Sequence, residues 1–435
     1  MNNGNKDYFL IEGGKPLRGE IEVHGCKNAA TPIIAATLLT EEPCYIQNLP
    51  LVEDIFRMLE IIEALGVKVE WQGERSVRIE AKGVDSSNIK EDLVMMLRSS
   101  ILLLGPIISR CGKIEIPKPG GCLIGARPIA THLDGFTQLG AEVKVIETDL
   151  CEKYILSAKK LTSSEIILPE FSVTATENIL MAASSLEGKT VIKIAALEPH
   201  VQDLSVVLSK MGAKIKWLPH HVVEIMGRKK LSGFSHTIIY DPVEAGSFLI
   251  LGGLLGNDIL IKNVLSNFLS LVIKKIQEFG IKTNRTRREH DLSSFKVKKP
   301  SKLSSVEKIQ VLPYPGIPTD LQCAFGVLAS QAEGETLIHD PLYEERLRYL
   351  KDLKRMGADI LFLDSHRAII KGPSKLHGTS IENYDLRSGA ALIIASLIAR
   401  GKTIISNAYQ VDRGYERIEE RLQKLGAIIR RVQVR

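Results

Sequence analysis

The sequence predicts an α/β fold in which helices are buried and sheets lie outside, arranged as two domains of three strand–helix–strand–helix–strand repeats each. Three observations carry that reading. A short glycine motif recurs six times at near-constant spacing, a small-residue apolar stretch precedes each copy, and those stretches are apolar on nearly every side.

The motif reads L-G-V-K-V, L-G-A-E-V, M-G-A-K-I, F-G-I-K-T, M-G-A-D-I and L-G-A-I-I, with its glycine at Gly66, Gly140, Gly212, Gly280, Gly357 and Gly426. Each copy follows a segment of helical periodicity, such as Ile55–Leu65 or Tyr415–Leu425, and opens a β-rich run. Glycine just past a helix can take the left-handed conformation that ends it, so a strand follows each motif. The upstream stretches run Ala29–Leu39, Ile101–Ile108, Ile179–Leu186, Ser247–Leu255, Ala324–Ala332 and Ala390–Ile398, each leading through a turn into a short β run. Their helices are expected to begin near residues 28, 98, 176, 246, 320 and 387. The first domain is expected over residues 25–238. The second takes residues 1–24 with 239–435, and the break falls near Ser232–Tyr240. Strands within Tyr8–Ile21 should pair in the second domain, whose last repeat otherwise lacks strands. The charge-dense interval Thr283–Ser305 reads as an exposed connection.

Composition narrows the function. The 435 residues are 44% hydrophobic and 25% charged, the mix of an ordinary globular protein. Aromatics at 5% are too scarce for a single-strand stacking surface. A formal charge of +6 spread over this length suits small anionic ligands better than nucleic acid. No apolar run approaches the roughly 20 residues of a membrane span, and the first residues lack the order of a secretion signal, so a cytoplasmic protein is expected. Histidines 200, 220, 221, 236 and 339 show no zinc spacing, and no phosphate-binding or dinucleotide fingerprint is present, so neither metal nor cofactor is expected.

If the buried helices run parallel, their starts gather at one face, where unpaired N–H groups and the helix dipole favour anions. The opening residues are Lys27-Asn28, Arg98-Ser99-Ser100, Thr174-Ala175-Thr176, Glu244-Ala245-Gly246-Ser247, Thr319-Asp320 and Asp385-Leu386-Arg387-Ser388. Thr176 and Ser247 read as N-caps. Lys27, Arg98 and Arg387 oppose the dipole and cost stability unless an anion is shared, which argues for an anion site.

A second signal is the loop Pro117–Pro128, too rich in Pro and Gly for helix or central strand. Cys122 lies inside it near Lys118 and Arg127, where a thiol is reactive. Cys26, Cys44, Cys111, Cys151 and Cys323 read as small buried hydrophobes. A third signal is Asp412-Arg413-Gly414-Tyr415-Glu416-Arg417, with Asp412 placed to cap the next helix. The fifth repeat holds Tyr343-Glu344-Glu345-Arg346 at the same place.

The motifs G-C-K-N-A-A-T-P (25–32), L-R-S-S-I-L-L-L-G-P (97–106), P-G-G-C-L-I-G-A-R-P (119–128), P-T-D-L-Q (318–322), D-L-R-S-G-A (385–390) and V-D-R-G-Y-E-R-I (411–418) resemble those of the UDP-N-acetylglucosamine enolpyruvyl transferase family, nearly end to end. The resemblance implies an inside-out α/β barrel, two domains of three repeats, with the active site in the cleft between them. It implies transfer of the enolpyruvyl group of phosphoenolpyruvate to the 3-hydroxyl of UDP-N-acetylglucosamine with release of phosphate, the first committed step of peptidoglycan synthesis. Carried over residue by residue, Lys27, Arg127 and Arg413 hold phosphoenolpyruvate, with Arg346 and Arg387 lining the same anion site. Asn28, Arg98, Arg127, Pro128, Ile129, Ala130, Thr131, Glu170, Phe171, Ser172, Val173 and Leu342 contact the UDP-sugar, and Asp385 lies among the substrate-binding residues. Asp320 is the general base at the sugar hydroxyl, and Cys122 the acid that protonates the methylene carbon. No cofactor, metal, nucleic acid or membrane partner is implied. The chain departs from the family pattern at Ala130, Thr174, Leu197, His200 and Glu345. Two other readings stay open: the sister enzyme acting on shikimate 3-phosphate, which lacks the Cys-containing loop, and a non-catalytic relative that binds UDP-sugars.

Overall fold

The structure, a computed structural model, describes residues 7–121, 124–125, 127–149, 151–289 and 291–433. They fall into two compact units. One holds the described residues of 1–24, 122–126 and 240–435, and the other those of 25–121 and 127–239. Among the described residues each unit has its own hydrophobic core and three sheets.

The apolar stretches are helices. They run Lys27–Ala36, Leu104–Cys111, Val173–Ser184, Pro242–Leu255, Thr319–Ala329 and Leu386–Ile398. Burial is nearly complete around their circumference: every residue from Val243 to Leu255 is buried, and so is every residue from Leu321 to Ala329. Helices 242–255, 319–329 and 386–398 pack against one another in the core of their unit. The stretch from Arg98 is the exception to a simple helix start. It opens as a 3-10 turn, Arg98–Leu103, and becomes α-helical only at Leu104. The helix expected near residue 246 begins at Pro242, because Asp241 caps it by accepting the amide N–H groups of Val243 and Glu244. Ser247 is therefore no cap; it lies one turn inside and bonds the Val243 carbonyl and the Tyr415 hydroxyl. Thr176 is likewise internal, and Ser172 caps that helix through the amide of Ala175. Asp412 ends a short helix, Tyr409–Asp412, and accepts Arg431 instead of capping the helix Ile418–Lys424.

All six motif glycines adopt positive φ, between +90° and +111°. At Gly66 the amide bonds Glu63 C=O at 2.9 Å and the next amide, of Val67, bonds Ile62 C=O at 3.2 Å, the reciprocal closure of a Schellman ending. The same pair of bonds closes the helices before Gly140, Gly212, Gly280, Gly357 and Gly426. Each then leads into a strand that is the outermost of its sheet.

Strand Tyr8–Glu12 inserts antiparallel between Lys402–Ser406 and Ile428–Val432, taking the place that a hairpin partner fills in the other sheets. Leu17–Glu22 goes elsewhere, parallel to Gly256–Leu265. The interval expected as a connection, Thr283–Ser305, instead contains a hairpin, Thr283–Glu289 with Leu292–Val297. Its polar composition hides a strand because Ser293, Phe295 and Val297 do the burying on alternate positions while Thr283–Glu289 contributes no apolar side chain. Of the cysteines read as buried, Cys26, Cys44 and Cys323 are; Cys111 is exposed and Cys151 half-buried, since both sit at element ends.

Gly426 has φ +94° and open space where a Cβ would project. Replacing it tests the backbone requirement without a packing clash. Gly426→Ala should lose about 1–2 kcal/mol in urea unfolding with an unchanged denaturant slope, and Gly426→Asn should lose less. Equal stability of Gly426→Ala and the parent would contradict a conformational role for this glycine.

Candidate functional site

In the unit of residues 25–121 and 127–239, the first buried helix starts at Lys27 with no side-chain cap and no acid in its first turn. Its cation is met by Asp54, whose carboxylate lies 2.9 Å from the Lys27 Nζ with both side chains mostly buried. Asn28 comes next, half-buried on the same first turn. Arg98 opens the 3-10 turn and donates from Nη2 to the Arg127 carbonyl at 2.6 Å, which brings the two arginine segments together. The beginning of the Pro/Gly loop is pressed against this turn. A Cβ on Gly120 would fall 1.6 Å from the Met95 carbonyl oxygen, and Gly121, at φ +125°, abuts the Arg98 Cβ. Cys122 lies outside the described residues.

Beyond Arg127, Pro128 is exposed and Ile129 buried before a helix, Ala130–Gln138, whose Ala130 is exposed. Thr131 donates to Glu170 at 2.8 Å. Phe171 stands half-exposed, edge-on to the His221 ring at 4.7 Å between centroids, and Ser172 and Val173 open the third buried helix. The sequence offered no signal for the residues beneath. His132 is buried between Thr174 Oγ1 at 3.0 Å and Asn178 Nδ2 at 3.0 Å, and Asn178 also donates to Ile101 C=O and accepts the Gly105 amide. One amide thus ties together the 98–103 turn, the helix after it and two further helices. Thr174, a departure from the family pattern, supplies the hydroxyl that meets His132. Burial, aided by the Arg98 charge, pulls the His132 pKa down to about 3, so the ring is neutral. Glu177 on the next turn is also buried, and burial with the nearby Glu198 pushes its carboxyl well above the usual range.

The unit of residues 1–24 and 240–435 holds a denser cluster. Asp320 opens one buried helix and its carboxylate bridges two cations: Arg346 Nη2 at 2.7 Å and Arg387 Nε at 3.2 Å. Asp385 caps another helix through the Ser388 amide at 2.8 Å and faces Arg346 Nη1 at 3.4 Å. Arg346 spends further donors on the Thr319 carbonyl. Arg387 lies over the Tyr415 ring, 5.3 Å from its centroid, with Asp241 at 3.9 Å. Among the described residues its buried Nη1 and Nη2 make no hydrogen bond of ordinary geometry, the Tyr415 side chain being the polar group alongside. Burial disfavours that charge, yet Asp320, Tyr415 and Asp241 together raise the guanidinium pKa above its ordinary value. The adjoining Gly414 packs on Leu386 and Arg387, and beside it Arg413 is buried and donates to Gln410 at 3.0 Å. Leu342 is exposed, its amide held by the buried Asp340 at 3.0 Å. Glu345, another departure, points outward and uses its amide to bond Ile124 C=O at 3.2 Å.

Cationic and carboxylate groups alternating at the starts of buried helices can bind a dianion and orient a hydroxyl for deprotonation. Asp320, Arg346, Asp385 and Arg387 form one network; Lys27, Arg98, Arg127 and Thr131 belong to the other unit. Asp241, His132, Asn178 and Glu177 were not singled out as site residues from the sequence. Only for Asp241 was a signal available, an acid just before a proline-started helix. Among the described residues no group of His, Cys, Asp and Glu could hold a metal ion.

Comparison with known proteins bears on this geometry. The family described as EPSP synthase (3-phosphoshikimate 1-carboxyvinyltransferase) matches residues 11–422. UDP-N-acetylglucosamine 1-carboxyvinyltransferases are similar over nearly the whole chain. That of Halothermothrix orenii is 43% identical, covering 98% of this chain and 99% of its own. That of Coxiella burnetii is 39% identical, covering 98% and 96%. Among solved structures, the enolpyruvyl transferase NikO from Streptomyces tendae superposes with a TM-score of 0.88 at 24% identity over 99% of this chain and 100% of that one. An EPSP synthase from Acinetobacter baumannii gives 0.74 at 20% identity, covering 98% and 100%. These two show the fold.

The neutral, buried His132 has a measurable consequence. An unfolded imidazole gains its proton near pH 6.5, whereas the folded one does so only near pH 3. Between those values the unfolded chain binds the extra proton. Stability from this group is therefore full above pH 6.5 and falls as pH drops, by up to about 1.4 kcal/mol per pH unit. His132→Asn should flatten the rise of the urea midpoint between about pH 4 and 6.5. An undiminished rise would assign the acid sensitivity to other groups.

Proposed function

The chain belongs to the UDP-N-acetylglucosamine 1-carboxyvinyltransferase family, within the wider EPSP synthase family, and from that premise we propose how its residues carry out the transfer. It is a transferase that moves an enolpyruvyl group. The proposed donor is phosphoenolpyruvate, the acceptor the 3-hydroxyl of UDP-N-acetylglucosamine, and the step the first committed one of peptidoglycan synthesis in the cytoplasm. The proposed architecture is the inside-out α/β barrel with three repeats in each of two domains, residues 25–238 and 1–24 with 239–435. The three sheets and the buried helices of each unit support it.

One observation carries the site: Asp320 is shared by Arg346 and Arg387, while among the described residues two buried nitrogens of Arg387 make no hydrogen bond of ordinary geometry. A buried donor left unpaired costs about 1–3 kcal/mol, and a bound anion removes that cost. Phosphoenolpyruvate brings a phosphate and a carboxylate, which suit planar guanidinium forks. Arg346, Arg387, Arg413, Lys27 and Arg127 are assigned to those anions. Asn28, Arg98, Arg127–Thr131, Glu170–Val173 and Leu342 are assigned to the sugar nucleotide.

The two arginines hold the Asp320 carboxylate in one orientation, and from there it takes the proton of the sugar 3-hydroxyl as the oxygen bonds to the substituted enol carbon. Cys122 delivers a proton from Sγ to the methylene carbon on the opposite side. The charge that builds at the enol carbon has oxocarbenium character, which the Asp385 carboxylate stabilises while Asp320 takes up the hydroxyl proton. Loss of a proton from the new methyl group and departure of inorganic phosphate then regenerate the double bond in the product.

Phosphate release from phosphoenolpyruvate should require UDP-N-acetylglucosamine; release with shikimate 3-phosphate alone, or none with either, would reject this assignment. Asp320→Asn should lower turnover at least about 100-fold with little change in sugar-nucleotide affinity. Cys122→Ala should abolish turnover, and Cys122→Ser should be nearly as poor, because a hydroxyl is a far weaker acid than a thiol. Cys122→Asp should keep substantial activity and resist the epoxide fosfomycin, having lost the thiolate nucleophile. Wild-type turnover in Cys122→Ala would remove the proposed acid.

A further inference from the structure

Residues 282–302 contain eight Lys and Arg against two acids, a surplus equal to the formal +6 of the entire chain. The rest of the protein is electrically balanced. This surplus is carried by the hairpin Thr283–Glu289 and Leu292–Val297 and its two flanks, and none of these residues enters the transferase reading.

The sixfold recurrence supplies an internal control. After each motif glycine the chain forms a strand that becomes the outer edge of its sheet: Lys68–Gly73, Glu142–Glu147, Lys214–Leu218, Thr283–Glu289, Asp359–Phe362 and Ile428–Val432. Five of these carry two or more apolar side chains, as in K-V-E-W-Q-G or K-I-K-W-L. Thr283–Glu289, T-N-R-T-R-R-E, carries none. Edge protection alone does not account for this, because the other five edges manage with one to three charges among apolar residues. Asn284, Arg285, Thr286 and Arg287 are exposed along it, as are Lys282, Lys296, Lys298 and Lys299 around it. Arg285 is braced over the Phe295 ring at 5.5 Å and on Ser266 Oγ at 3.2 Å, so its guanidinium stays at the edge.

We propose that this edge docks an acidic, extended polypeptide segment of a protein partner, which adds as a strand beside Thr283–Glu289 and places its carboxylates against the basic side chains. An edge strand offers a row of main-chain donors and acceptors, and a strand added there gains hydrogen bonds while alternate side chains give selectivity. Like charge along the edge repels a second copy of the same strand, and opposite charge attracts an acidic one. Single-stranded nucleic acid fits less well, because the sheet presents no exposed aromatic side chain; Phe295 is buried. An anionic membrane fits less well, because none of the exposed large hydrophobic side chains lies in this sheet.

The test uses the full chain and a fluorescein-labelled peptide of about twelve residues alternating Glu and Val, at roughly 50 and 300 mM salt. Saturable binding that weakens with salt is expected. The same peptide N-methylated at alternate residues keeps its charge but cannot pair along a strand, and should bind at least about tenfold more weakly. R287E/K298E/K299E should lose at least about tenfold in peptide affinity while keeping its thermal unfolding and phosphate-release activity. Equal binding of both peptides, undiminished binding by a folded R287E/K298E/K299E protein, or tighter binding of a single-stranded oligonucleotide or phosphatidylglycerol vesicles than of the peptide would each overturn the proposal.

Discussion

A helix that is apolar on every side has no face to offer to water, so it persists only where other elements enclose it completely. That constraint governs this protein. The helices Pro242–Leu255, Thr319–Ala329 and Leu386–Ile398 have no polar stripe and pack on one another in the core of one unit, with sheets carrying the solvent-facing polarity. Sheets can do this because alternate residues face opposite sides, whereas a buried helix has no such division of labour. Polarity that a buried helix needs must therefore sit at its ends.

The ends are where the chemistry gathers. Each helix start leaves N–H groups to be satisfied, and at three of the six buried helices Asp241, Asp385 and Ser172 do so as side-chain caps. The same positions hold the cations Lys27 and Arg387, which are unfavourable beside a positive helix end unless carboxylates or bound anions offset them. Asp54 does so for Lys27, and Asp320 with Asp241 for Arg387. The offset for Arg387 is incomplete, since among the described residues two of its nitrogens make no hydrogen bond of ordinary geometry. Stability given up at such a point is commonly recovered when a ligand arrives, which is how a binding site differs from a structural ion pair.

Burial also sets the protonation of groups that touch no substrate in this reading. His132 is held neutral and the Glu177 carboxyl is pushed well above its usual range, because burial disfavours the charged form of each and the neighbouring charges, Arg98 and Glu198, have the same sign. Arg421 and Glu244 show the opposite balance: at 2.6 Å the guanidinium outweighs burial and holds the carboxyl below its usual range. That pair joins the start of helix Pro242–Leu255 to helix Ile418–Lys424, and Arg421 also donates to the Glu22 carbonyl at the end of strand Leu17–Glu22.

Local chemistry made much of this legible in the amino-acid sequence. A glycine two or three residues before a β run ends the preceding helix, because glycine takes positive φ without strain, and all six do so. Stretches such as S-F-L-I-L-G-G-L-L declare a buried helix by composition alone, and Lys27, Arg98 and Arg387 stood out because they violate a local rule. Tertiary structure decided the features that local rules cannot see. It made a strand of T-N-R-T-R-R-E because Leu292–Val297 offered the pairing edge and the buried side chains. It sent Tyr8–Glu12 to one sheet and Leu17–Glu22 to another. It also moved the caps from Thr176 and Ser247 to Ser172 and Asp241. Asp54 and Asn178 carried no signal because their partners are 27 and 77 residues away. A periodicity or a cap is written within a few neighbouring residues, whereas an ion pair or a strand partner exists only once the chain has brought distant residues together.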